Sequence, residues 1–272
     1  MKKILVATDF SPAAMNAAEY AAEMALYISS DIHLLNVFDL PQNYGDTPTI
    51  INPEDLRKEA EKDIRAQREQ LIRKTNDKVN ITTEVRMGAL SNELETICER
   101  INPYAVVMGS QGKTAAERIF IGSNTVHEVK HLNWPLLAVP RSVSFSGIKK
   151  IGLACDFDNV LDEFPIEEIK LLVNDFKAEL NVLNIRKQKE VDQEVKLESG
   201  ILKKMLANLN PRYHFIANKN IDECILGFAE KHHLDLLIVL PKRHSLLESL
   251  VHKSHSKQFV LHSMVPVMAI HE

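Results

Sequence analysis

The apolar positions of this chain fall in short unbroken runs, separated by longer stretches where they recur every three or four residues. In the first half the runs lie at 3–8, 32–37, 80–85, 104–108 and 135–139. Runs of this length without polar alternation predict strands buried on both faces. Between the first two lies PAAMNAAEYAAEMALYI, whose Ala, Met and Leu spacing follows the helical period. Ser11 and Pro12 in front of it form an N-cap and first-position pair. Residues 52–74 set Leu56, Ile64 and Leu71 on one face, with Glu and Lys or Arg at helical spacings on another, which predicts an amphipathic outer helix. The polar stretch DLPQNYGDTPTI before it predicts a long loop beside the site. Strands alternating with helices predict an α/β fold with a parallel sheet covered on both faces.

The pattern occurs twice. KKILVATDF at 2–10 returns as KKIGLACDF at 149–157, with six of nine positions identical. IHLLNVF (32–38) is echoed by AELNVLNI (178–185), INPYAVVMG (101–109) by HHLDLLIVLP (232–241), and NWPLLAVP (133–140) by MVPVMAIH (264–271). Matches in one order predict a duplicated domain, at 1–140 and 148–272, joined by the polar linker RSVSFSG at 141–147. The length of 272 residues suits two such domains, each able to bury its own core.

Composition narrows the classes. A net charge of −4 and a pI near 6.3 give no global pull towards nucleic acid or anionic lipid. The first apolar run is too short for a signal-peptide core or a membrane span. Three cysteines without CxxC spacing suit a reducing cytosol. The expectation is a cytoplasmic protein with no membrane span and no nucleic-acid partner.

Chemistry concentrates in MGSQGKTAAERIFIGS, 108–123, which holds three of the nine glycines. It is not a Walker A loop, because the glycine required five residues before Gly112-Lys113-Thr114 is Val107. Parallel sheets bind ligands beyond the carboxyl ends of their strands, and Asp9, Val37 and Gly109 all fall at such ends. Glycines let backbone N–H groups approach an anion, and a helix N-terminus after them favours phosphate.

Gly109-x2-Gly112-x9-Gly122-Ser123 resembles the ATP-binding signature of the universal stress protein family. ATDFS after the first strand, Asn36-Val37 ending the second, and WPLLAVP closing the domain all fit it. The resemblance implies two Rossmann-like (adenine nucleotide alpha-hydrolase-like) domains, each an approximately five-stranded parallel sheet with helices on both faces. It implies an ATP-binding stress-response regulatory protein that uses ATP with Mg2+. Asp9 would lie near the adenosine and the Val37 backbone at the adenine edge. Met108, Gly109, Gln111 and Gly112 would meet the ribose and first phosphates; Gly122, Ser123, Asn124 and Thr125 would hold the outer ones. On the residues alone, Asp9 also reads as a helix-start residue, and Lys113 and Arg118 as solvated loop cations. The family's C-terminal strands pair domains, so WPLLAVP and VPVMAIH would form an intramolecular pseudo-dimer, with a homodimer of whole chains as the alternative.

The second copy lacks the glycines, with Pro241, His244 and Ser254 opposite Gly109, Gly112 and Gly122, although Asp156 stands opposite Asp9. One nucleotide site per chain is therefore expected. That half holds eight of the eleven histidines, but none at zinc-motif spacing, and no metal site is assigned. Two rival functions stay open. One is slow ATP hydrolysis or phosphotransfer, for which Asp9, Lys113 and Arg118 offer no recognisable base-plus-cation pair, so no catalytic residue is assigned. The other is a non-nucleotide ligand or protein interaction module built on the His-rich C-terminal domain.

Overall fold

A computed structural model describes residues 2–40, 52–110, 124–125, 127–128, 131–155, 164–186, 200–217, 221–241 and 263–271. Ten strands form one sheet: β1 Lys3–Ala7, β2 Asp31–Phe38, β3 Ile81–Met87, β4 Ala105–Gly109, β5 Leu136–Val139, β6 Lys150–Ala154, β7 Glu179–Arg186, β8 Arg212–Ala217, β9 Leu236–Val239 and β10 Val267–Ala269. Among the described residues, helices with both ends described include α1 Pro12–Ile28, α2 Pro53–Lys74, α3 Leu90–Ile101, α4 Ile166–Phe176 and α5 Ile221–Lys231, and residues 124–125, 127–128 and 200–205 are helical as well. Strand residues alternate between two cores. Ile4, Val6, Ala105 and Val107 pack with α1 and α2, whereas Leu5, Val106 and Met108 pack with α3. Both faces are thus buried, which is why the runs are apolar without alternation.

The sheet order is β3-β2-β1-β4-β5-β10-β9-β6-β7-β8, so the second five strands repeat the order of the first in reverse. Every neighbouring pair of strands is parallel except β5 and β10, which pair antiparallel with Leu137 opposite Met268 at the centre. Val267 faces Ala138 and Ala269 faces Leu136, a self-complementary pattern with the symmetry of a two-fold contact. This junction joins the halves within the chain. Segment 141–147 adds to it, because Phe145 meets Tyr20 of α1 edge-on at 5.2 Å and lies 6.3 Å from Phe176 of α4. Asn16 of α1 donates to the Pro140 and Val143 carbonyls at 3.0 and 2.9 Å, and Lys2 pairs with Asp175.

Register corrects one expectation. Ile4 pairs with Ala105 and its repeat mate Ile151 pairs with Leu236. Gly109 therefore matches half-buried Leu240, and Pro241 matches Ser110. The strand shift escapes sequence comparison because both alignments superpose apolar residues. A structural difference accompanies Leu240: α1 has 17 residues and begins five positions after β1 ends, whereas α4 has 11 and begins at Ile166, twelve positions after β6 ends. His244, Ser254 and Asp156 lie outside the described residues.

One buried polar pair is duplicated with its members exchanged. His33 of β2 contacts Glu84 of β3 through Nε2 at 3.1 Å and Thr82 through Nδ1 at 2.8 Å. At the matching positions of β7 and β8, Asn181 Oδ1 meets His214 Nε2 at 3.0 Å. Burial lowers the pKa of His33 against the opposing pull of Glu84. Burial pushes Glu84 up, but Arg100 and His33 together hold it below the ordinary carboxyl value.

Candidate functional site

β1 lies between β2 and β4, where the chain order reverses direction across the sheet. The carboxyl ends of these three strands therefore open on one crevice. Thr8 extends β1 by donating its N–H to the Leu35 carbonyl at 2.9 Å, and the Asn36 amide donates to the Thr8 carbonyl at 2.8 Å. The repeated Leu-Asn preserves this tie, since Asn184 donates to the Cys155 carbonyl at 3.3 Å.

Phe10, at φ 59°, turns the chain out of the strand and into α1. Three local bonds fix the turn. Phe10 N–H donates to Thr8 Oγ1 at 3.1 Å, Ser11 N–H to Asp9 Oδ1 at 3.0 Å, and Ala14 N–H to Ser11 Oγ at 3.2 Å. Ser11 is the N-cap expected from the sequence, with Pro12 beginning the helix. Asp9 has a helix-start role, yet its carboxylate is exposed and lines the crevice.

Gly109 ends β4 directly against the start of α1. A Cβ built there would stand 2.7 Å from the Ala13 carbonyl carbon, 2.8 Å from its oxygen and 2.9 Å from the Ala14 nitrogen. The sequence suggested that this glycine admits a ligand's phosphate; the structure shows that it admits the backbone of α1. Across the crevice Asn124 and Thr125 are helical, and buried Thr125 donates Oγ1–H to the Gly109 carbonyl at 2.9 Å.

These elements line a cleft of about 570 Å³, open solvent included. Asp9, Val37, Met108, Gly109, Asn124 and Thr125 all line it. Gln111, Gly112, Gly122 and Ser123 lie outside the described residues, as do Lys113 and Arg118. The sequence reading missed Leu35 and Leu90 as lining residues. Leu35 sits in a run that looks like plain core, and Leu90 follows a glycine-containing turn far away in sequence. The walls grade from apolar (Leu35, Val37, Leu90, Met108) to polar (Thr8, Asp9, Ser11, Asn124, Thr125), and Asp9 is the one ionisable group among the described lining residues. Among the described residues no group of three or more His, Cys, Asp or Glu is placed to hold a metal ion. Nor is any helix there long and apolar enough to cross a membrane.

The model of the family described as "Universal stress protein family" matches residues 1–140. Two universal stress proteins of Methanocaldococcus jannaschii resemble the chain, one at 28% identity over 145 residues, covering 52% of this chain and 82% of the relative. The other is 27% identical over 157 residues, with 53% and 97% covered. A crystal structure of a universal stress protein from Archaeoglobus fulgidus superposes over the whole length, with a TM-score of 0.75 at 18% identity, 99% of this chain and 96% of that one being covered. At that identity the likeness speaks for the fold.

Proposed function

Because the chain belongs to the universal stress protein family, its match spanning residues 1–140, we propose that the cleft at the β1–β4 switch point is an adenine-nucleotide site that gives the protein a regulatory role in the stress response. The observation that carries the reading is the convergence of Asp9, Val37, Met108, Gly109, Asn124 and Thr125 on one cleft. The graded walls fit such a ligand. Leu35, Val37, Leu90 and Met108 suit a planar base, and backbone groups at the end of β2 suit its polar edge. Ser11 and Ala14 at the start of α1 suit the ribose, and Asn124 and Thr125 opposite suit the phosphates. Gln111, Gly112, Gly122 and Ser123 complete the family signature and belong to the phosphate end in this reading. The bound form is ATP with Mg2+, the cation being held by the phosphates, because the described lining offers only one carboxylate.

Domains at 1–140 and 148–272 follow, with the nucleotide in the first. Leu240 and the shorter α4 both argue against an equivalent cleft in the second, since Leu240 replaces the glycine that lets α1 close on β4. Among the described residues nothing beside the cleft pairs a base with a cation, and this reading is of a binding protein rather than an efficient ATPase.

Calorimetric titration with ATP and Mg2+ tests the proposal on the intact chain and on Gly122→Glu, which adds bulk and negative charge to the glycine signature. The expected result is about one ATP per chain, lost in the variant. No binding to the intact chain, or binding of two equivalents, overturns the reading.

A further inference from the structure

Beside the cleft lies a buried acidic side chain that nucleotide contact does not explain. Glu128 is 2% exposed, a costly position for a carboxyl group without partners. Ser91 donates its Oγ–H to Glu128 Oε1 at 2.5 Å, and His127 Nδ1 lies 3.3 Å from the same oxygen. Ser91 stands in the first turn of α3, next to Leu90 of the cleft wall. The N-cap of α3, Ala89, makes no side-chain cap, and Glu128 adds a second acidic group near this helix start beside Glu93 of its own first turn.

Position decides what the contact does. Thr125 and Glu128 are both helical, three positions apart and each 2% exposed. Thr125 bonds to β4 through the Gly109 carbonyl, and Glu128 to α3 through Ser91. The two bonds hold Asn124 and Thr125 against the cleft from different elements. Within the apolar end, Leu35 and Val37 lie on β2, which neither bond touches.

We infer that Glu128, acting through Ser91, is a positioning residue that sets the phosphate-side wall of the nucleotide cleft without touching the nucleotide. The inference rests on the proposed site, and it divides the ligand in two. Interactions with the base and sugar are independent of Glu128, whereas interactions with the phosphates depend on it.

The test measures the affinities of ATP, ADP and adenosine for the full chain, for Glu128→Ala, Glu128→Gln and Ser91→Ala. In the wild type, ATP is expected to bind more tightly than adenosine. Glu128→Ala and Ser91→Ala are expected to weaken ATP by about tenfold or more, as the loss of a buried hydrogen bond to an acidic group warrants, with adenosine changed by less than about twofold. Gln still accepts from Ser91, so Glu128→Gln recovers most of the ATP affinity. Ser91→Ala leaves Glu128 with His127 and serves as the reporter if Glu128→Ala fails to fold. A parallel loss of all three ligands means a general structural role and overturns the inference. So does an unchanged ATP-to-adenosine ratio in folded variants. Absence of ATP binding in the wild type instead removes the site itself, a result distinguishable from both.

Discussion

Replacing Gly109 by alanine tests the packing that shapes the cleft. The new methyl group would lie 2.7 Å from the Ala13 carbonyl carbon, 2.8 Å from its oxygen and 2.9 Å from the Ala14 nitrogen. Ordinary contact begins near 3.4 Å, so the start of α1 must retreat by about 0.7 Å. All three neighbours are backbone, and no rotamer change relieves them. Such overpacking costs about 1–3 kcal/mol. At roughly 2–4 °C per kcal/mol for a chain of this size class, the melting temperature should fall by roughly 2–12 °C. Because Ser11 and Ala14 line the same cleft, ATP affinity should drop with it. Thermal unfolding followed by circular dichroism, with ATP calorimetry on the same preparations, reads both effects. A Gly109→Ala protein that melts within about a degree of the wild type refutes the argument, because β4 and α1 would then be loosely packed.

Gly227 provides the opposite case. It lies within α5 with nothing inside 4 Å of a Cβ, so Gly227→Ala should stabilise by about 0.5–1 kcal/mol through helix propensity, seen as a higher denaturant midpoint. His33 has a folded-state pKa lowered from 6.5 by burial, so the unfolded chain binds this proton more tightly. Stability should be full above about pH 6.5 and decline below it, and His33→Gln should flatten denaturant-measured stability between about pH 6.5 and pH 5; identical pH slopes would remove this histidine from the account. Burial pushes the Cys98 thiol up to about 12, with Glu128 and Glu95 adding to it. It should stay unlabelled by a thiol reagent at about pH 8 in the native protein and react on unfolding, with peptide mapping identifying the site.

The sequence by itself determined the strands of the first half, the Ser11–Pro12 helix start and the amphipathic face of α2. These depend on local chemistry: a side chain's period, a hydroxyl within reach of an N–H, a ring that fixes φ. It also carried the repeat, whose two copies take up the same strand order in the structure. Asp9, Val37 and Gly109 were legible as cleft-lining residues because a strand's carboxyl end is a local property, even though the crevice is not. Tertiary structure alone decided which ends meet. Leu90 and Leu35 are 55 residues apart in the chain yet share a wall, because β1 lies between β2 and β4. It decided that Gly109 is small for the sake of α1, since a 2.7 Å approach belongs to two elements and to neither sequence segment. It decided the register that sets Leu240 opposite that glycine, because apolar runs align equally well one residue apart while hydrogen-bonded ladders do not. And it decided the place of Glu128, which reads as one more surface acid on a helix until Ser91 is brought to 2.5 Å.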